Sequence, residues 1–316
     1  MPDRIVEIAA GLNTIEEMPM RSLVTGGTGF IGRHLISRLD RPVVLGRDPM
    51  RIHKLFRNVD AFQWLPSSLP DKKVFQGVDT VFHLAGESVS KGRWNREKKE
   101  RIMRSRVDGT RNLVEQLAAL DQPPATLVCA SAIGFYGRQG EKILSESSPP
   151  GDDFLARVCI AWEEEASRAE KFGIRVVRIR TGIVLGEDGG ALPQMLLPFR
   201  LGAGGKIGTG KQYMSWIHID DLIGIMLHVA ANESIRGPVN GVAPSPVTNS
   251  EFTEALAAAL HRPALFYVPG WVLKITVGEF ADVLLGSQRV VPEKITAAGY
   301  TFIYPELTGA LQNLVG

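Results

Sequence analysis

Cysteine is almost missing from this sequence. Cys129 and Cys159 are the two in 316 residues, each inside an apolar pattern, with no CxxC and no histidine at ligand spacing. That excludes a disulfide scaffold, argues against a zinc site and favours a reducing compartment. The histidines, at 34, 53, 83, 218, 228 and 261, form no metal spacing. Long apolar runs are also lacking: none approaches the ~20 residues of a membrane span. Neither sign of charge dominates, since the net charge of +2 is too mild to argue for nucleic acid. Lys91–Arg106 is locally basic, with eight basic residues against two acidic. It lacks an aromatic stacking pattern beyond Trp94, so it reads as a solvated helix face that partly lines a phosphate-bearing ligand. Residues 1–19 lack a signal segment. Ile8-Ala9-Ala10 is too short, and Glu7, Glu16 and Glu17 are the wrong flanks. A loose extension, or an upstream start before Met20, is expected. So is a cytoplasmic protein with neither a membrane nor a nucleic-acid partner.

What is present is alternation. Short apolar runs at 22–25, 43–45, 61–65, 80–85, 125–131 and 174–180 read as strands. Helical patterns lie between most of them, at 30–39, 95–120 and 154–172. Strands separated by helices imply right-handed crossovers and a parallel sheet covered on both faces. Beyond Leu185 the chain turns Gly- and Pro-rich over 186–210. A strand-to-helix segment at 216–230 and a strand at 239–242 follow, then helical patterns at 249–261, 271–285 and 305–314. The fold class is α/β, a doubly wound parallel sheet of the Rossmann kind with a small C-terminal substrate lobe. The dinucleotide unit spans 20–185, with 216–245 returning to it; 186–215 and 246–316 form the lobe.

Thr25-Gly26-Gly27-Thr28-Gly29-Phe30-Ile31-Gly32 follows the first strand and opens the first helix. Its spacing is GxxGxxG. Gly26 serves a tight turn, Gly29 lets backbone approach a pyrophosphate, and Gly32 lets helix pack on strand. The amides of Phe30 and Ile31 at the helix start favour phosphate. The second strand ends in Leu45-Gly46-Arg47-Asp48, where the adenosine ribose is read. Arg47 offers a planar cation to a 2′-phosphate, which favours NADP over NAD. Asp48 opposes that choice, because a shift of one residue would put a carboxylate on the ribose.

Together with this loop, His83-Leu84-Ala85-Gly86-Glu87, Ser131-Ala132-Ile133-Gly134-Phe135-Tyr136-Gly137 and Trp216-Ile217-His218-Ile219-Asp220-Asp221 resemble the extended short-chain dehydrogenases. The closer resemblance is to their atypical group of epimerase family proteins, or nucleoside-diphosphate-sugar epimerases. Arg93-Trp94, Ser105–Thr110, Leu197–Gly202, Asn240–Pro244 and Val291-Pro292-Glu293-Lys294 match that group too. Some of its plastid and cyanobacterial members are linked to cell division. The resemblance covers about Met20 to Gly316. It implies an NADP- or NAD-linked oxidoreductase or epimerase, and cofactor contacts from Thr28, Gly46, Arg47, Leu84, Ala85, Gly86 and Arg106. Leu185 would border the nicotinamide, and the substrate would be a nucleotide sugar or a carbonyl compound.

One departure is large. Ordinary members carry a tyrosine and a lysine four residues apart on the helix after the fifth strand. Here that helix offers Phe154/Val158 or Leu155/Cys159 in the two registers, and the usual asparagine on the preceding helix is Arg106. The usual Ser/Thr position falls on Ala132 counting back from Tyr136-Gly137, or on Ser131 if the loop holds an extra residue. The remaining candidates are Ser131 as substrate-orienting donor and Tyr136 or Glu87 as acid or base. Tyr136 also reads as a packed tyrosine, Glu87 as a solvated loop acid, and His218 as a structural partner of Asp220 or Asp221. Two functions follow: an oxidoreductase or epimerase with unusual acid–base groups, or a degenerate NADP(H)-binding regulatory or scaffold protein. Nucleic-acid binding is a distant third.

Overall fold

The computed structural model describes residues 21–316; the extension expected at 1–19 lies outside the described residues. Seven parallel strands form the central sheet: β1 (Ser22–Thr25), β2 (Val43–Gly46), β3 (Asp60–Gln63), β4 (Thr80–His83), β5 (Thr126–Ala132), β6 (Arg175–Thr181) and β7 (Gly237–Gly241). Their order is β7-β6-β5-β4-β1-β2-β3, every neighbouring pair parallel. The order reverses between β1 and β4, which opens a crevice at their carboxyl ends.

Runs such as Ser22–Thr25 are buried at every position because both sheet faces are covered. Successive side chains point to opposite faces. Leu23, Leu45, Val81 and Leu127 pack with Leu113 and Leu117 of α3 (Arg96–Ala118) and Trp162 of α4 (Phe154–Ser167). Val24, Val44, Phe82 and Val128 pack on the other face. Their partners are Leu35 of α1 (Phe30–Ile36) and Leu222 and Met226 of α6 (Ile219–Ala231). Each fully buried side chain of this kind contributes about 1.5–3 kcal/mol. A third cluster, Leu185, Leu192, Phe199, Trp216 and Leu311 with Phe252 and Leu256 of α7 (Asn249–Ala259), is the core of the lobe. The short parallel pair Ile183–Gly186 and Trp216–His218 leads into it.

Three local features differ from the sequence reading. A helix α2 (Pro49–Leu55) follows β2. Asp48 caps it by accepting from the Arg51 amide at 3.1 Å, and Pro49 occupies its first turn, where a missing N–H costs nothing. The Gly/Pro-rich stretch contains α5 (Leu192–Arg200), which tolerates Pro193 in its first turn and ends soon after Pro198. The pattern at 271–285 is not one helix. Gly278 has φ +67°, in the left-handed region, and divides it into α8 (Gly270–Val277), a 3-10 turn and a short helix Ala281–Leu284.

His83, the last residue of β4, fastens the crevice from behind. It is fully buried, with Nδ1 2.8 Å from Thr25 Oγ1 and Nε2 3.0 Å from Thr110 Oγ1 on α3. Thr25 Oγ1 also accepts from the Leu84 and Ala85 amides, both at 3.2 Å. Its own proton therefore goes to Nδ1, which leaves Nε2–H to donate to Thr110. The ring is neutral, since burial pushes the imidazole from 6.5 down to about 4. Between those two values the unfolded chain binds the extra proton and the folded one does not. This stabilisation is full above pH 6.5 and is lost as the pH falls towards 4, by about 3 kcal/mol. Urea denaturation between pH 7 and pH 4 is expected to show that loss, and His83→Asn should lack this part of it. Parallel pH slopes in parent and variant would refute the neutral clamp.

Candidate functional site

At the mouth of the crevice the glycine turn is held by close backbone approach. Gly26 has φ +73°, and a Cβ there would lie 2.7 Å from the Leu84 carbonyl carbon. A Cβ at Gly32 would lie 2.5 Å from Gly26 O, so helix and turn meet through absent side chains. At Gly29 a Cβ would approach one atom, Gly26 O at 3.1 Å, and otherwise project into open space. Gly29 is the N-cap of α1 with no side-chain cap bond, which leaves the first amides, Phe30 and Ile31, to an incoming acceptor. The Phe30 ring turns away from that acceptor. It fills the space that Cβ atoms at Gly186, Gly189 and Gly190 would occupy, within 2.3–2.9 Å of each.

Beside the turn lies a cavity of about 320 Å³ lined by Thr28, Arg47, Asp48, Arg51 and Ile52. Gly46 lets β2 lie close to α2, where a Cβ would sit 2.9 Å from Ile52 Cδ1. Because the Asp48 carboxylate is engaged at the helix start, the cavity presents two guanidinium groups, Arg47 and Arg51. Sequence reasoning missed Arg51. Its signal was the Asp48-Pro49 pair, a helix-start signature that would have placed Arg51 one turn beyond Arg47.

On the opposite wall, Leu84 and Ala85 follow directly on β4, and Gly86 sits against the Arg106 guanidinium, where a Cβ would lie 3.2 Å from Cζ. Arg106 donates to Glu87 O at 2.9 Å and stacks 5.1 Å from the Trp162 ring. Glu87 is about one-third exposed and pairs with Lys98 Nζ at 2.6 Å, while Lys98 itself is nearly buried. That bond holds the Glu87 carboxyl below its usual range, and Arg101 and Arg47 add to the effect. The basic run 91–106 is largely paired: Arg96 with Glu100, Arg101 with Glu97, Lys98 with Glu87 and Lys99 with Glu279.

Ser131 and Tyr136 lie together, away from Glu87, in one buried network. Ser131 donates to Glu163 Oε1 at 2.7 Å. Arg180 donates to the same carboxylate through Nε at 2.8 Å and Nη2 at 2.9 Å. Arg180 Nη1 lies 3.0 Å from the Tyr136 hydroxyl, which donates to Asn240 Oδ1 at 2.7 Å. Burial raises the Tyr136 phenol above its ordinary value. Glu163 and Arg180 were absent from the sequence candidates, because they meet across seventeen residues and two elements with no local pattern.

The helix α4 register is also visible. Leu155 packs against Gly134, and the Cys159 thiol lies beside Ser131, the Ala132 backbone and Arg106. Leu155 and Cys159 therefore face the end of β5. Burial pushes the thiol up to about 12, so it carries no charge near neutrality. β5 runs in unbroken register with β6 through Ala132, opposite Thr181. Leu185 is fully buried among the lobe residues. His218 caps α6, accepting from the Asp220 amide at 3.1 Å, and its Nε2 lies 3.2 Å from Asn313 Oδ1. Among the described residues no group of three or more acidic, histidine or cysteine side chains is placed to hold a metal.

Gly29→Val should fill the open space in front of Phe30 and Ile31 with little cost to folding. Calorimetric titration should show NADPH binding weakened at least tenfold, with a melting temperature near the parent's. A folded variant that binds as the parent does would remove this turn from the site.

Comparison with known proteins agrees with this geometry. Residues 22–240 match the NAD dependent epimerase/dehydratase family, and residues 268–314 match a domain of unknown function, DUF1731. The chain is 37% identical over 301 residues to the epimerase family protein YfhF of Bacillus subtilis, covering 94% of this chain and 98% of that protein. It is 38% identical to the chloroplastic SDR39U1 homolog of Arabidopsis thaliana, covering 95% and 88%. The crystal structure of human epimerase family protein SDR39U1 (isoform 2) with NADPH superposes with TM-score 0.82. That pair is 36% identical and covers 94% of this chain and 99% of the human one. UDP-glucuronic acid 4-epimerase from Bacillus cereus shares the fold, with TM-score 0.76 at 18% identity and coverage of 94% and 99%. The match across most of its length, on a sheet whose order reverses beside the glycine turn, shows that this chain belongs to the NAD dependent epimerase/dehydratase family.

Proposed function

We propose that this chain is an NADP(H)-binding oxidoreductase of the epimerase type, acting on a nucleotide sugar or a carbonyl compound through acid–base groups other than tyrosine and lysine. One observation carries the cofactor: the cavity beside Thr28 holds Arg47 and Arg51, with Asp48 turned into a helix cap. A 2′-phosphate is a dianion, and two guanidinium groups suit it. The human relative crystallised with NADPH supports the same choice. The residues present fit the rest of the dinucleotide. The open side of Gly29 and the first amides of α1 suit a pyrophosphate. Leu84, Ala85 and Gly86 form a wall, and Arg106 is fixed behind it. NADPH, when bound, supplies a hydride.

Of the three sequence candidates, Glu87 is the one partly open to solvent. We assign it, with Lys98, the exchange of a proton with substrate. Ser131 and Tyr136 act as positioning residues: through Glu163 and Arg180 they fix the end of β5. A second reading is favoured by Leu155 and Cys159, which leave no phenolate facing β5. In it the chain binds NADP(H) without turnover and serves as a regulatory or scaffold protein.

Arg47→Ala should weaken NADPH by roughly 1.5–3 kcal/mol and NADH far less. Equal losses would mean that Arg47 does not read the phosphate. The chemistry is tested by NADPH oxidation over a panel of nucleotide sugars, ketones and aldehydes. Glu87→Gln should lower the rate about 10²–10⁴-fold with NADPH affinity kept. Ser131→Ala and Tyr136→Phe should lower it less and leave the pH profile in place. Full rate in Glu87→Gln would overturn its assignment. Tight NADPH binding with no turnover on any substrate would put the second reading first.

A further inference from the structure

Among the described residues, eight of the sixteen large exposed apolar side chains fall within 197–283, in one part of the lobe. Helix α8 has the apolar sequence Gly-Trp-Val-Leu-Lys-Ile-Thr-Val, and none of its residues is buried. Trp271 is 67% exposed and Ile275, one turn on, 66%. Just before α8, Phe266–Val268 pairs in parallel with Gly205–Ile207 as a two-stranded ribbon. Phe266 and Tyr267 are successive on that ribbon and so point to opposite faces, yet both are more than half exposed. Leu265 at its start is 85% exposed, and Leu201, at the end of α5 where the chain enters the ribbon, 74%. Exposed apolar surface gathered in this way marks an interaction surface.

The charge of the same segments says what that surface meets. Residues 189–219 and 255–278 contain no aspartate or glutamate, in a chain with 34. They carry Arg200, Lys206, Lys211, Arg262 and Lys274, all exposed. The two acid-free stretches are brought together by the ribbon, Lys206 lying opposite Tyr267. Their own side chains are apolar, aromatic and cationic; the neighbouring carboxylate of Asp282 lies 3.9 Å from Lys274 Nζ and is itself paired with Arg138 at 3.0 Å. A second copy of the chain placed symmetrically on this face would set the five cations against themselves. An anionic lipid surface complements both features. Aromatic and aliphatic side chains enter the headgroup boundary, and lysine and arginine meet the phosphates.

We propose that this lobe face, with α8 and the ribbon at its centre, docks on the surface of a bilayer containing anionic lipid. The earlier expectation of no membrane partner rested on the lack of a spanning run. Among the described residues no helix is long and apolar enough to cross a membrane, and a surface contact needs none. The inference stands apart from the cofactor assignment, because none of these residues lines the cavity beside Thr28 and Arg47.

The test is co-sedimentation of the full chain with vesicles of phosphatidylcholine alone and with about 30% phosphatidylglycerol, whose charge supplies the negative surface potential. Partition should be at least tenfold higher on the anionic vesicles and fall with added salt. Trp271→Ala and the charge reversal Lys211→Glu/Arg262→Glu should each reduce it at least fivefold. Both should keep the parent's melting temperature and NADPH affinity, which separates surface from fold. Absence of binding, equal binding to both vesicle types, or full binding by both variants would overturn the proposal. So would a stable dimer in solution that Trp271→Ala dissociates, since a second copy would then cover the face.

Discussion

Everything at the functional edge hangs on how closely β1 and β4 approach where they end. Thr25, Gly26, His83 and Leu84 meet there with no side chain between the turn and the neighbouring strand. The absent Cβ of Gly26 lets the chain turn sharply, and the Thr25 hydroxyl gathers two amides and the histidine at one point. Thr110 then fastens the histidine to α3. Since α3 also carries Lys98 and Arg106, the clamp that joins two strands also aligns the far wall of the crevice. A buried neutral imidazole does this without an ionic desolvation cost, which a lysine or carboxylate at position 83 would bring.

The structure divides its polar groups into two kinds. Those lining the crevice, such as Arg47, Arg51 and the Glu87–Lys98 pair, keep part of their surface or a free face. Those beneath β5 and β6 are nearly buried, although Glu163 and Arg180 border a surface cavity of about 450 Å³. Glu163 takes three donors, and Arg180 stacks on Phe135 at 3.4 Å as well as bonding Tyr136. A buried ion pair is worth little against an apolar substitute, but losing one partner strands a charge and costs several kcal/mol. The motifs around Tyr136 and Asn240 thus meet in an internal brace, which explains their sequence prominence without placing either side chain at the surface.

Much of the sheet was legible because its signal is local. Runs of three to seven residues marked the strands near their observed bounds, and the long pattern from Asn95 begins where Asn95 caps α3. The glycine turn was legible for the same reason. What escaped were facts that need three dimensions. Whether Arg47 or Asp48 faces the ribose depends on a register that one residue can shift, and the bond from the Arg51 amide to the Asp48 carboxylate decides it. The choice between Phe154/Val158 and Leu155/Cys159 turns on which side of α4 faces β5, and the helix is apolar on both. The break at Gly278 was hidden because apolar periodicity continues across it.

The Phe30 ring carries a consequence for the history of the sequence. It stands where side chains at 186, 189 and 190 would be, so those positions are not independent of position 30. An alanine at 189 would require a smaller residue at 30, and that residue would free the antiparallel pair of Ile183–Gly186 and Gly189–Gly190 from the first helix. The four positions are coupled by volume, since one ring occupies the space of three side chains. The order in which they change is constrained, and drift at any single one is closed off while the ring remains.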